Sequence, residues 1–175
     1  MPDLPTGDGH TCYISSALDS QGRAACLMQW GTITALLTPE ATLTTARDLM
    51  TAATHAETDI AFIKAFRQGF KTDPDTIGLM LRDIRAGRPP LPGRAALRIE
   101  AVAGAETVQP YVHIARGSMK RALDPDRARQ MALHWTEAAI AAQIDVRLRY
   151  ALGEWGHLTP ADTAHLFELM REVQR

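Results

Sequence analysis

The sequence has no asparagine, few aromatic residues and almost no net charge. Its 175 residues carry 19 basic and 20 acidic side chains, which gives a formal net charge of −1. A chain this close to neutrality has no bulk electrostatic attraction to nucleic acid or to an anionic membrane. With 46% hydrophobic and 22% charged residues it is nevertheless typical of a globular protein.

Long apolar runs and a cysteine framework are also missing. No run approaches the roughly 18 apolar residues that a membrane helix needs, so we expect no membrane partner. Residues 1–12 lack the basic and apolar regions of a secretory signal. The two cysteines, Cys12 and Cys26, would face other residues in a hairpin that turns at 20–23. We therefore expect free thiols and a cytoplasmic protein.

Motifs that carry chemistry are absent. The chain contains no G-x-S-x-G, P-loop, G-x-G-x-x-G, H-E-x-x-H or C-x-x-C sequence. Ser118 and Lys120 are separated by one residue, whereas a nucleophile and base one helical turn apart need two. We predict no catalytic residue and no cofactor, which favours a non-enzymatic protein and leaves an enzyme as an alternative.

One cluster resembles a metal site only weakly. Asp162, His165 and Glu168 follow an i, i+3, i+6 spacing and could share one face of a final helix. The counterpart positions in the first half of the chain are Thr76, Leu79 and Arg82, which do not form a ligand set. A polar helix face explains the spacing, and we assign no metal.

The sequence aligns with itself at an offset of 86 residues. LLTPEATLTTARDLMTAATHAETDIAFIKAF (36–66) matches ALDPDRARQMALHWTEAAIAAQIDVRLRYAL (122–152) without a gap. The register extends outwards, with Gly31 on Gly117 and Pro74 on Pro160. Glycine, proline and the apolar pattern all keep this register, which predicts an internal duplication.

Each copy predicts a βββαα unit. In the first copy, three short β-rich segments precede a Thr38-Pro39-Glu40 helix start, and a second helix opens at Thr72-Asp73-Pro74. We predict an α+β protein in which each unit has a three-stranded antiparallel meander, a long helix and a short helix. About 80 residues form a marginal folding unit, so we expect the copies to pack as a pseudo-two-fold pair. The predicted divisions are a flexible N-terminus (1–10), the first repeat (11–86), a Pro/Gly linker (87–96) and the second repeat (97–175).

Asp59 places a carboxylate in the apolar, helical stretch TDIAFIKAF. It lies 13 residues before a turn centred near residue 72, and Arg85 lies 13 residues after it, so an antiparallel helix pair brings the two to one height. Asp145 and Arg171 repeat the spacing in the second copy. We predict two structural ion pairs, Asp59–Arg85 and Asp145–Arg171, because a partly buried carboxylate needs a partner.

The copies differ in charge around the second hairpin. LMQWGTITALL has no charged residue, whereas its counterpart HIARGSMKRAL carries Arg116, Lys120 and Arg121. One interpretation is that the protein itself covers the first hairpin while the second is solvated. A second is that a protein partner or another protomer docks at Trp30. A third is that the basic residues contact phosphate groups of nucleic acid, although interleaved aromatic residues are missing.

These observations favour a cytoplasmic, non-enzymatic interaction or regulatory module that binds a protein partner. The first alternative is a nucleic-acid-binding regulator that uses the basic hairpin. The second is a small-molecule binder or enzyme with its site between the repeats. The arginine- and alanine-rich composition is typical of a GC-rich genome, and the strands followed by L-T-P-E and an Ala-rich helix are similar to small actinobacterial proteins, a resemblance that implies no site residues.

Overall fold

The computed structural model describes residues 11–89, 93–104, 108–153 and 158–173, apart from the side chains of residues 171 and 173. It has two three-stranded antiparallel sheets and four helices, which confirms the α+β class. In the part of the chain that is described, none of the helices combines the length and the apolar character needed to cross a membrane.

The order βββαα occurs twice along the chain. The first unit consists of β1 (Cys12–Leu18), β2 (Ala24–Trp30), β3 (Ile33–Leu37), α1 (Pro39–Gly69) and α2 (Pro74–Ala86). The second unit consists of β4 (Arg98–Ala103), β5 (Pro110–Arg116), β6 (Met119–Leu123), α3 (Pro125–Gly153) and α4 (Pro160–Val173). Each element of the second unit begins 86 residues after its counterpart, as the offset in the sequence requires.

The tight turns before β3 and β6 share one backbone conformation. Gly31 and Gly117 have φ values of 57° and 56°. This left-handed region is disfavoured for residues with a Cβ atom, which explains why glycine occupies both positions. Within each sheet the strands form a simple meander, in the order β1-β2-β3 and β4-β5-β6.

All four helices begin with a capping residue followed by proline. The side chain of Thr38 accepts from the Ala41 N–H at 3.2 Å, and Asp73 accepts from the Thr76 N–H at 2.9 Å. Asp124 and Thr159 do the same at the starts of α3 and α4. Proline fits the first helical position because no intrahelical partner is available there for an N–H.

The two units exchange their long helices. Helix α1 packs mainly against β4 and β5 of the second sheet, and α3 packs mainly against β1 and β2 of the first. The two helices also pack extensively against each other. Each sheet therefore buries its apolar face under a helix that belongs to the other unit.

One core cluster spans both units. Trp30 and Met28 from the first sheet lie in the same cluster as Val112 and Ile114 from the second. The contribution of the long helices is largely alanine, which allows close approach of the helix backbones. The buried alanines of the two helices are Ala46, Ala52, Ala53, Ala56, Ala128, Ala132, Ala138, Ala139 and Ala142.

The described part of the linker packs against α1. The Ala96 N–H donates to Thr45 Oγ1 at 2.8 Å, and Leu97 is buried. Gly93 has φ of 98°, and a Cβ atom there would lie 3.1 Å from the Thr44 hydroxyl oxygen. Glycine is therefore required by both the backbone conformation and the close contact with α1.

Candidate functional site

Asp59 is a structural residue at the junction of α1 and α2. Its carboxylate is 1% exposed and accepts from Arg85 Nε at 2.8 Å. Arg88, in the linker after α2, donates to the other carboxylate oxygen. Two guanidinium groups thus compensate one buried negative charge.

The structure describes only one side chain of the ion pair that we predicted in the second unit, Asp145–Arg171. Asp145 lies on α3, 86 residues after Asp59, and is half-buried, whereas Asp59 is fully buried. The side chain of Arg171 lies outside the described residues. The Asp145–Arg171 ion pair therefore stays a prediction.

Trp30 is a core residue and not a surface contact. Only 1% of it is exposed, and it faces the interior on the same side of the sheet as Cys12 and Ile33, its neighbours on β1 and β3. Our interpretation of Trp30 as a partner-binding residue is therefore corrected, because its side chain cannot reach a partner in the folded protein. Among the other two tryptophans, Trp135 lies fully buried on α3 and Trp155 lies outside the described residues.

The three basic residues of the second hairpin do not share a face. Side chains alternate along a strand, so Arg116 and Arg121 are on the side of the sheet that faces the core, with Ile114 and Leu123, whereas Lys120 is on the opposite side. Arg116 also donates to the Ala96 carbonyl at 2.8 Å. The three basic residues are therefore divided between the two sides of the sheet, and their role in binding a partner stays a prediction.

The outward side of the first sheet has no charged residue. We call this surface the neutral face. It consists of Tyr13, Ser15, Ala17, Ala25, Leu27, Gln29, Thr34 and Leu36, which strand pairing places on one side of the sheet. Tyr13 and Leu36 are 43% and 50% exposed, so apolar side chains are open to solvent on it.

The outward side of the second sheet differs in charge. It carries Arg98, Glu100, His113 and Lys120. Arg98 and Glu100 are 86 residues after Cys12 and Ile14, which face the core in the first sheet. Arg98 Nε donates to Glu100 Oε1 at 2.9 Å, so part of this charge is paired within the strand. The two outward faces differ in surface chemistry, and the pairing of β4 with β5 is shifted by one residue from that of β1 with β2.

One of the weak metal candidates, Asp162, forms hydrogen bonds at the start of α4. Asp162 Oδ2 accepts from the Thr159 N–H at 3.0 Å and from its hydroxyl at 2.6 Å. These hydrogen bonds lower the pKa of Asp162, since they favour its ionised form. Among the residues that the structure describes, no three His, Cys, Asp or Glu side chains are grouped so as to hold a metal ion.

A pocket of about 350 Å³ lies between the two units, and we call it the inter-unit pocket. It is lined by residues 11–14 at the start of β1, by Ile114 of β5, by Arg121 and Leu123 of β6, and by Arg127, Gln130, Met131, His134 and Trp135 of α3. Both β1 and β6 are edge strands of their sheets. The pocket therefore involves an edge strand of each sheet together with α3.

Cys12 lines this pocket, and its thiol is not activated. Burial raises its pKa to about 12, and the positive charge of Arg116 only partly offsets that effect. Burial also raises the pKa of Cys26. Both cysteines are free, and a thiol that stays protonated is a poor nucleophile.

Two structural contacts were not found from the sequence. Arg129 of α3 forms a two-pronged ion pair with Glu57 of α1, with NH1 donating to Oε1 at 2.8 Å. The guanidinium of Arg149 lies 4.0 Å from the ring centre of Phe167 and links α3 to α4. The opposite charges of Glu57 and Arg129 could have predicted the first contact only if the packing of α1 against α3 had been known.

Comparisons of the chain with protein-family models, curated proteins and solved structures give no match.

Proposed function

We propose that the protein is a non-enzymatic interaction module that docks a protein partner on the neutral face. The observation that carries this proposal is the absence of charge from all eight outward positions of the first sheet. The centres of protein interfaces are depleted in charged residues and enriched in aromatic ones. A solvated sheet face usually bears charges, as the second sheet does.

The chemistry of the face favours one kind of occupant. Tyr13, Leu27 and Leu36 offer apolar contact, and Gln29 and Thr34 offer hydrogen bonds to polar groups. A nucleic acid would need cations, and the face has none. We therefore expect a protein surface that is itself uncharged and partly apolar. A second copy of this chain is the competing occupant, which the experiment below distinguishes.

We also infer that the two units arose by duplication and are related by a pseudo-two-fold axis. Supporting observations are the common offset of all five element starts and the matching glycine turns. The short helices agree as well, since Ile77 and Leu81 on α2 and their counterparts Thr163 and Phe167 on α4 are all buried. If the units arose by duplication, the neutral face is a feature of the first copy that the second copy does not share. A cytoplasmic location and a regulatory role stay predictions.

The offset provides a matched pair of variants for the test. Leu36 is on the neutral face, and Ala122 is the exposed counterpart on the second sheet. Tagged wild-type protein, Leu36→Asp and Ala122→Asp are used to capture partners from a lysate of the source organism, with and without nuclease. Circular dichroism and thermal unfolding verify that both variants are folded.

We expect to capture a stoichiometric protein partner. Its capture should persist after nuclease treatment and should be equal for wild type and Ala122→Asp. Leu36→Asp should reduce capture about tenfold or more, because a buried interface residue can contribute about 1.4 kcal/mol or more. Equal capture by both Asp variants contradicts the proposal. Loss of the partner on nuclease treatment contradicts it in favour of nucleic acid. A concentration-dependent dimer that Leu36→Asp dissociates would identify a second copy as the occupant instead.

A further inference from the structure

The solvent side of α3 carries a heptad pattern, and we call this surface the α3 seam. Its members recur at alternating intervals of four and three residues, the spacing that keeps one side of a helix facing a second helix. They are Leu133, Glu137, Ile140, Ile144, Arg147 and Ala151, and all six are exposed. The opposite side of α3 is already buried in the core, where Trp135 is fully covered. The helix thus has a second stripe with the pattern of a packing surface, and that stripe is open to solvent.

Large apolar side chains of the α3 seam are accessible. Leu133, Ile140 and Ile144 are 56%, 47% and 48% exposed. Leu148 lies beside the seam and is 38% exposed, which extends the apolar surface. The solvent side of a surface helix normally carries polar residues, and a row of exposed apolar side chains is typical of an interaction site.

The matching stripe of α1 is polar. Thr54 and Thr58 stand 86 residues before Ile140 and Ile144 and are also exposed. Their hydroxyls donate to the main-chain carbonyls of Met50 and Thr54, at 3.1 Å and 2.8 Å. The two long helices occupy corresponding places in the fold but differ on the outside. The fold itself therefore does not require the apolar stripe of α3, which favours a contact outside the chain.

The α3 seam is complementary to itself when two copies run antiparallel. In that arrangement, residues that are equally far along the chain from the two-fold axis lie opposite each other. With the axis at the height of Ala142, Ile140 of each copy lies opposite Ile144 of the other. Leu133 and Ala151 are likewise equidistant from the axis, so a large side chain lies opposite a small one. Apolar layers therefore form at the centre and at both ends of the contact.

The charged members of the seam fix the direction of the pair. Glu137 and Arg147 are each five residues from Ala142, so each carboxylate lies opposite a guanidinium of the other copy, and the symmetry makes two such pairs. A parallel pair would instead place Glu137 beside Glu137 and Arg147 beside Arg147, where like charges repel. A second copy in the antiparallel direction thus satisfies both charged positions, and this complementarity favours it over an unrelated partner.

We propose that the protein forms a two-fold homodimer in which the α3 seams of two copies pack antiparallel. The contact runs over residues 133–151, which is about 28 Å of helix. Because this is a small interface, we expect a reversible dimer with a dissociation constant on the order of 10–100 μM. The seam is a different surface from the neutral face, and the dimer does not depend on the protein partner proposed for that face.

Analytical ultracentrifugation of the full chain, from about 1 to about 500 μM, spans the expected dissociation constant. The test variants are the charge reversals Glu137→Arg and Arg147→Glu, and the double variant that exchanges the two charges. Ile140→Asp disrupts the central apolar layer, and Thr54→Asp is its matched control on α1. Circular dichroism and thermal unfolding of dilute samples verify that every variant is folded.

We expect wild type to dimerise and each single charge reversal to weaken the dimer about tenfold or more, because like charges then meet at two places. The double exchange should restore the affinity to within about threefold of wild type, since every charge again lies opposite its complement. Residues that only stabilised the folded monomer would show no such rescue. Ile140→Asp should also weaken the dimer about tenfold or more, and Thr54→Asp should leave it unchanged.

Four results would overturn the proposal. The first is a wild type that stays monomeric at the highest concentration, which would leave the seam to another occupant. The second is a dimer that neither single charge reversal weakens. The third is a double exchange that fails to rescue the affinity, which would mean that Glu137 and Arg147 do not lie opposite each other. The fourth is a dimer that Leu36→Asp dissociates and Ile140→Asp does not, which would place the contact on the neutral face.

Discussion

Asp59 shows how a buried charge is stabilised by ion pairs. A carboxylate that is 1% exposed loses nearly all contact with water, and in this protein Arg85 and Arg88 replace that contact. The two arginines come from α2 and from the linker, so a single side chain joins three segments of the chain. Pairs of this kind fix the register of the packed elements more than they add net stability.

Asp59→Ala should therefore destabilise the protein strongly. We expect a loss of about 2–4 kcal/mol in the free energy of unfolding, because two guanidinium groups lose their common acceptor and a small cavity remains. Asp83→Ala is the control, since Asp83 is an exposed residue of α2 and should change stability by less than about 0.5 kcal/mol. Urea denaturation measures both. Equal effects of the two substitutions would contradict the structural role of Asp59.

The sequence predicted Asp59 and Arg85 as partners because helix spacing fixes the height of a residue on a helix pair. It did not predict Arg88, since the path of a linker after its last helical turn follows from packing and not from local periodicity. The basic hairpin illustrates the same limit. Arg116, Lys120 and Arg121 are close in sequence, but strand alternation and the Ala96 carbonyl direct them to different surroundings.

At the scale of elements, the α1–α3 contact holds the two units together. Alanines form most of the contact, and small side chains give little specificity of register by themselves. Glu57 on α1 and Arg129 on α3 add a directional contact at the edge of this interface. Their side chains are 45% and 31% exposed, so solvent reduces the strength of the interaction.

The Glu57–Arg129 pair should make a small, pH-dependent contribution. Hydrogen bonding to Arg129 lowers the pKa of Glu57 in the folded protein below its ordinary value of 4.5. The stabilisation is therefore fully present above the unfolded pKa and is lost as pH falls through the lowered folded pKa. We expect Glu57→Gln to lower the free energy of unfolding by less than about 1 kcal/mol at pH 7.

The measurement is the difference in unfolding free energy between wild type and Glu57→Gln at pH 7 and at pH 3. The difference should shrink at the lower pH. In an Arg129→Ala background, Glu57→Gln should have little effect at either pH, and a double-mutant cycle tests this directly. A difference that grows as pH falls would contradict the assigned pKa shift.

The starts of the helices were predicted because their signals are local. Thr-Pro and Asp-Pro pairs start the helices, and glycine marks the turns before β3 and β6. The partner of each helix could not be predicted in this way. An apolar stripe shows that one side of α1 is buried, but the same stripe would fit its own sheet as well as the sheet of the other unit.

At the scale of the whole molecule, the exchange of helices determines how the chain can fold. A unit on its own lacks the helix that covers its sheet, since α3 covers β1 and β2 while α1 covers β4 and β5. The long-range contacts between units must therefore form before either sheet is protected from water. The linker contributes by keeping the two units at a high effective concentration.

Splitting the chain within the linker tests this dependence. Fragments 1–89 and 93–175 should each lack a cooperative unfolding transition as monomers, because each exposes the apolar side of its sheet. When mixed, they should form a 1:1 complex with the circular dichroism spectrum of the intact chain. Its apparent stability should depend on concentration, since the linker no longer supplies the second unit.

A fragment can also cover the apolar side of its sheet with the long helix of a second copy of itself. Two copies of 1–89 would then exchange α1 helices and form a dimer, which follows from the same physical requirement. One ion pair favours the mixed complex. In that complex Arg129 of α3 pairs with Glu57 of α1. In a dimer of 1–89 the position of Arg129 is occupied by Leu43, so this ion pair cannot form. Mixed fragments should therefore prefer each other. A monomeric fragment that unfolds cooperatively by itself would contradict the exchanged architecture.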